Sequence, residues 1–141
     1  MNNKKKRVRA IDSLVKACIK KEWFSDGLEA AKLGASQKVI DFLVKACIKK
    51  GWLSEALEAT KLMGGGLTTK RVDSLVQTCI EKEWFSGALR AAKLGASQKA
   101  IDSLVETYIE KGRLSEALEA ARLRGRDLTT EEIERLVVAI S

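Results

Sequence analysis

The feature that most constrains this chain is that it repeats its own hydrophobic register. Ile11-Asp12-Ser13-Leu14-Val15 returns as Ile40-Asp41-Phe42-Leu43-Val44, Val72-Asp73-Ser74-Leu75-Val76 and Ile101-Asp102-Ser103-Leu104-Val105. A looser fifth copy starts at Ile133-Glu134-Arg135-Leu136-Val137. The spacings alternate at 29, 32, 29 and 32 residues, so a 61-residue pair has itself been duplicated. Residues 12–69 and 73–130 agree at 40 of 58 positions, which marks a recent duplication or an engineered array. A period of this length makes each copy one supersecondary unit that buries its apolar face against its neighbours.

Each copy reads as two helices. Ile11, Leu14, Val15, Cys18 and Ile19 fall at i, i+3, i+4, i+7 and i+8, one stripe at helical period. After a turn, Ser25, Ser54, Ser86 and Ser115 stand where N-cap oxygens are expected for a short alanine-rich second helix. Gly34, Gly64, Gly95 and Gly125 are the expected left-handed caps that end it. Ser36, Ser97, Thr68 and Thr129 are expected to cap the next first helices, and Thr129 with Glu132 has capping-box spacing. No segment alternates with strand period. The expectation is one all-α solenoid domain over residues 1–141, with nine helices in about four and a half helix-turn-helix repeats of 29–32 residues. The repeats run over about 8–36, 37–68, 69–97 and 98–129, with a half-repeat at 130–141. Ending within a repeat, the chain reads as a fragment or as an array closed by a half-repeat.

Composition narrows the function. Histidine is absent, removing the commonest general base and metal ligand, and proline is absent too. No phosphate loop is present, since Gly64-Gly65-Gly66 lacks the following Lys-Ser/Thr. Cys18, Cys47 and Cys79 share one repeat position, which Tyr108 and Ile140 fill in the last copies. A slot that accepts Cys, Tyr and Ile is a core slot, not a metal or disulfide site. The chain is therefore expected to be no enzyme and to hold no metal or cofactor. The longest apolar run, Leu136 to Ile140, is too short for a membrane span. A cytoplasmic protein with no membrane contact is expected. The net charge of +7 sits in residues 1–68, with 14 basic against 7 acidic side chains, while residues 69–141 hold 12 of each. Part of the excess is Lys4-Lys5-Lys6-Arg7-Val8-Arg9, read as a solubilising polybasic tail.

Leu43-x3-Cys47-x3-Gly51-x4-Ala56 and Leu104-x3-Tyr108-x3-Gly112-x4-Ala117 resemble the core spacing of tetratricopeptide repeats, and Gly112-Arg113-Leu114-Ser115-Glu116-Ala117-Leu118 is equally similar to a pentatricopeptide repeat. The copies here are shorter, Glu22 and Glu83 stand at two turn-glycine positions, and the closing proline is missing. The resemblance implies a right-handed superhelix whose first helices line a concave groove. Carried over by position, that groove has a basic half at Lys16, Lys20, Lys45 and Lys49. Its acidic half, with Glu81, Asp102, Glu106 and Glu110, carries three glutamates where the first half has lysines. Asp102, Glu106 and Glu110 stack like charges at i, i+4 spacing, which a cationic partner would relieve. Trp23, Trp52 and Trp84, with Arg113 in the fourth copy, sit in the inter-helix turn as candidate aromatic anchors. The residue after each, Phe24, Leu53, Phe85 or Leu114, is expected in the core.

Two functions follow. The first is a protein–protein interaction scaffold holding a peptide or neighbouring protein in the groove. The second is a pentatricopeptide-like RNA binder. In that family the base-reading residue is usually Asn, Ser or Thr, whereas Asp12, Asp41, Asp73 and Asp102 occupy the position here. Carboxylates oppose phosphate, so the scaffold is favoured and sequence-specific RNA binding is not expected. A weak homodimer or head-to-tail string is also expected, because the last helix carries more apolar residues than one stripe needs.

Overall fold

The computed structural model describes residues 2–141. Among these it is all-helical, with α1 (Asn2–Lys20), α2 (Phe24–Ala31), α3 (Gln37–Lys50), α4 (Leu53–Lys61), α5 (Thr69–Glu81), α6 (Phe85–Ala92), α7 (Gln98–Glu110), α8 (Leu114–Arg124) and α9 (Thr130–Ile140). Two compact units, Met1–Leu67 and Thr68–Ser141, divide the chain. That boundary falls where the duplicated pair begins again.

In the first unit α1 pairs with α2 and α3 with α4, α3 rests on both helices of the first hairpin, and α4 rests on α2. Ile11, Val15, Phe24, Leu43, Cys47, Ala56 and Ala59 form its core. The small residues of α4 let it approach α3 closely. Three polar ties hold the hairpins in register. Asp12 Oδ1 accepts from the backbone N–H of Ser36 at 2.8 Å. Lys50 meets Glu22 at 3.3 Å. The Ser25 hydroxyl donates to Glu55 at 3.1 Å. The first holds the N-terminus of α3 against the middle of α1 and the second joins their C-terminal ends, so these helices lie side by side and parallel.

The second unit repeats the scheme. Asp73 accepts from Ser97 N–H at 2.8 Å and from its hydroxyl at 2.6 Å. Lys111 meets Glu83 at 3.6 Å, and the Ser86 hydroxyl donates to Glu116 at 3.4 Å. The unit continues into α9, which packs on α7 through the buried Leu136. In α7, Tyr108 fills the cysteine slot and donates its hydroxyl to the Phe85 carbonyl at 2.5 Å.

Ser36, Thr68, Ser97 and Thr129 cap α3, α5, α7 and α9, and the Thr129–Glu132 box is complete. The second helices differ from expectation. Their N-caps are Trp23, Trp52, Trp84 and Arg113, none with a side-chain cap bond. Ser25 and Ser86 lie inside the helix and are used between hairpins instead. Of the expected glycine caps only Gly125 (φ 92°) directly ends its helix in the left-handed region. Gly34 and Gly95 follow two residues later, and the positive φ angles after α4 belong to Gly65 and Gly66. Leu114 is not core, being about half exposed. Lys4 to Arg9 is no tail: it is helical, and α1 runs for 19 residues.

The turn-glycine position is left-handed in all four hairpins: Gly51 has φ 82° and Gly112 φ 66°, while Glu22 and Glu83 adopt 60° and 59°. An L-residue there costs about 1–2 kcal/mol. The exposed ion pair each glutamate makes is worth less than about 1 kcal/mol. Glu22→Gly and Glu83→Gly should therefore each raise unfolding stability by about 1 kcal/mol in urea titrations. A loss of stability would mean that the ion pairs outweigh the backbone strain.

Candidate functional site

In the first unit Lys16 and Lys20 on α1 and Lys45 and Lys49 on α3 are all exposed. They hold equivalent positions on parallel neighbouring helices, so they form one basic stripe. Lys45 pairs with Asp41 one turn earlier at 2.9 Å. Among the described residues Lys16, Lys20 and Lys49 make no ion pair. This stripe is basic and largely unanswered.

The acidic stretch of the second unit differs. Glu81 accepts from the Gln77 side chain at 3.2 Å. Arg135 on α9 clamps Glu106 on α7 with two bonds, 3.2 and 2.5 Å, and Glu110 adds to the field that keeps Arg135 charged. The cation expected from a partner is thus supplied from within the unit. Asp102 and Glu110 remain exposed. Asp12 and Asp73 are not open groove carboxylates, because each is occupied in holding the next helix.

The turn aromatics split by role. Trp23 is 58% exposed. Trp52 leans on Phe24, ring centroids 5.5 Å apart, and in the second unit the Arg113 guanidinium lies 4.7 Å above Phe85 at the corresponding place. A planar cation stacks on an aromatic face much as an indole does, which explains why this position tolerates Trp and Arg. Lys82 lies 5.5 Å from the ring of Trp84.

The three cysteines are free and buried. Burial pushes the Cys47 thiol up to about 12, with Glu55 adding to it, and Cys79 up to about 11, with Arg90 opposing. Such thiols are not nucleophiles near neutral pH. Among the described residues no group of His, Cys, Asp or Glu side chains could hold a metal. None of the described helices is long and apolar enough to cross a membrane.

Sequence reasoning missed the corner between α8 and α9. Arg124 is buried and grips Glu132 with two bonds of 2.9 and 3.0 Å, while its other terminal nitrogen bond goes to the Asp127 carbonyl at 3.0 Å. Glu132 also accepts from the Thr129 N–H at 2.8 Å. Only the capping-box half of this cluster has a sequence signature. Beside it opens an apolar hollow of about 600 Å³, walled by Leu114, Leu118, Ile133, Val137 and Ile140, with Arg122 and Asp127 at its polar edge.

A scan against protein-family models finds no match to this chain, and searches of curated proteins and of solved structures find none either.

The Arg124 hydrogen bonds hold the Glu132 carboxyl down at about 2, against 4.5 ordinarily, with burial opposing and the Thr129 N–H assisting. A depressed carboxyl contributes stability that is present above its unfolded value and lost as pH falls from about 4.5 towards 2. Glu132→Gln should flatten the acid limb of the stability profile in that window. It should also cost about 3 kcal/mol at neutral pH, because Arg124 loses its buried counter-charge. Thermal unfolding followed across pH would measure both effects. An unchanged acid limb would remove Glu132 from the account.

Proposed function

We propose that the chain is a non-catalytic interaction scaffold in which hairpins of tetratricopeptide type stack within each unit as a right-handed solenoid. In this reading the first unit binds an acidic peptide segment along α1 and α3. The observation that carries the reading is the stripe of Lys16, Lys20, Lys45 and Lys49, of which, among the described residues, only Lys45 makes an ion pair. Exposed like charges on adjacent helices repel one another, and an extended carboxylate-rich partner relieves this across several sites at once. Trp23, in the turn between α1 and α2, is an exposed aromatic that such a partner could use as a further contact. Asp12 and Asp73, occupied in holding Ser36 and Ser97, are poorly suited to read bases, which favours a peptide over RNA. The free cysteines fit a reducing cytoplasmic setting.

Fluorescence anisotropy with a glutamate-rich peptide tests this. Binding should weaken with salt and fall by about tenfold in a Lys16→Glu, Lys49→Glu double variant, at roughly 0.7 kcal/mol per lysine. Glu110→Lys should leave it unchanged. Equal affinity for acidic and basic peptides would contradict the reading. Tight binding of one RNA sequence in preference to the peptide would replace it with the nucleic-acid alternative.

A further inference from the structure

Within the units, first helices lie side by side in three places: α1 with α3, α5 with α7 and α7 with α9. The α7–α9 crease shows which repeat positions meet there, because Arg135 holds Glu106 across it with bonds of 3.2 and 2.5 Å. The same two positions carry Ser103 and Gln77 between α7 and α5, and Phe42 and Lys16 between α3 and α1. Phe42 and Lys16 are level with each other, since they lie between the Asp12–Ser36 bond and the Lys50–Glu22 ion pair that fix the two helices. An ion pair therefore closes one crease and two uncharged polar side chains occupy another. The crease of the first unit sets an aromatic ring beside an ammonium group.

Phe42 is the outlier of its repeat position. Ser13, Ser74 and Ser103 stand there in the other full copies and are exposed, so packing of the repeat does not require a ring. Phe42 is 50% exposed, leaving much of a large apolar side chain in water. Lys38, Lys45 and Lys49 lie within roughly 60° of it around α3, and all three are exposed. Ala46, one turn further along α3, and Ile19, one turn beyond Lys16 on α1, are partly buried and packed on the core. The result is an apolar patch rimmed by Lys16, Lys38, Lys45 and Lys49, of which, among the described residues, only Lys45 makes an ion pair.

We infer that the acidic segment held by the first unit carries a bulky apolar side chain with a carboxylate two residues to either side, the apolar group seated on Phe42 and the carboxylates on the lysines around it. This rests on the reading of α1 and α3 as a site for an acidic peptide, and it names the residue that makes the site selective. Spacing supports the pattern. Along α3, Lys38 lies about 6 Å before Phe42, and Lys45 and Lys49 lie about 4.5 and 10 Å after it. Side chains on one side of an extended chain recur about every 6.7 Å. A carboxylate two residues before the apolar one then reaches Lys38, and one two residues after it falls between Lys45 and Lys49. Lysines alone attract any polyanion, and salt screens them. Burial of an apolar group against Phe42 adds a preference that charge does not provide. Single-stranded nucleic acid binds by stacking successive bases on several aromatic side chains, and Phe42 is the only aromatic residue of α1 and α3, so the peptide is the occupant favoured.

Two labelled synthetic peptides of equal length and charge test it by fluorescence anisotropy. One is built from Glu, Gly and Ser only. The other has a single leucine in place of a central serine, with glutamates two residues to either side. The wild type should bind the leucine peptide at least about tenfold more tightly. Phe42→Ser should erase that preference while leaving affinity for the all-polar peptide within about twofold. Because serine stands at this position in three other copies, the variant should keep the wild-type circular dichroism and melting curve. The Lys16→Glu, Lys49→Glu double variant should weaken both peptides alike. If that double variant weakens both but the wild type binds the two peptides equally, or if the preference survives Phe42→Ser, the acidic-segment reading stands and the role of Phe42 is overturned. Failure of the wild type to bind either peptide would overturn both. A single-stranded oligouridine that outcompetes both peptides and depends on Phe42 would assign the patch to nucleic acid and overturn the inference.

Discussion

Each hairpin of this protein carries an apolar face that it cannot cover alone, and almost everything else in the structure follows from how that face is closed. Within each unit the second hairpin closes the first, and Leu43 and Leu104 are fully buried as a result. Roughly 2 kcal/mol per buried leucine makes this the dominant favourable term. The burial has no direction of its own. Direction comes from polar ties set at fixed offsets: an aspartate holding the next helix's N-terminus, an ion pair joining the C-terminal ends of the same two helices, and a serine–glutamate bond between second helices. The same three recur in the second unit, so the duplicated sequence reproduces its contacts as well as its helices.

The ties also explain the alternating spacing. A short Leu-Gly-Ala-Ser connection delivers Ser36 and Ser97 to Asp12 and Asp73. The longer connection that follows α8 is used differently, with Arg124 and Glu132 buried together and Arg135 reaching back to Glu106. That difference matters for function. It neutralises part of the acidic stretch within the second unit, while the lysine stripe of the first has no comparable internal answer. The asymmetry between near-identical halves is therefore sharper in the structure than in the charge count.

Periodicity made the helices, their order and most of their core legible in the sequence, because a stripe at helical period repeated five times has few other solutions. First-helix caps were legible for the same reason, since Ser and Thr stand directly before the stripe. The second helices were harder. Tryptophan has no capping oxygen, so nothing in its chemistry marks it as an N-cap, and the nearby serines drew the expectation two residues inward. Contacts distant in sequence were not legible at all: Asp12 with Ser36, Arg135 with Glu106 and Arg124 with Glu132 depend on which helix faces which. Those contacts turned several expected groove residues into structural ones. Of the lysine stripe only Lys45 is paired, with Asp41, and among the described residues Lys16, Lys20 and Lys49 make no ion pair.

Covered and uncovered faces should differ in local stability as well as in exposure. α7 packs against α5, α6, α8 and α9, whereas α9 rests chiefly on α7; likewise α3 packs on α1, α2 and α4, while α1 leaves Leu14 in water. Amide hydrogen exchange at a concentration too low for association measures this directly. The central helices α3 and α7 should exchange at least about tenfold more slowly than α1 and α9, equivalent to about 1.4 kcal/mol of opening free energy. Uniform protection across all four helices would contradict the claim that closure of each hairpin's apolar face by its neighbours is what holds the helices in place.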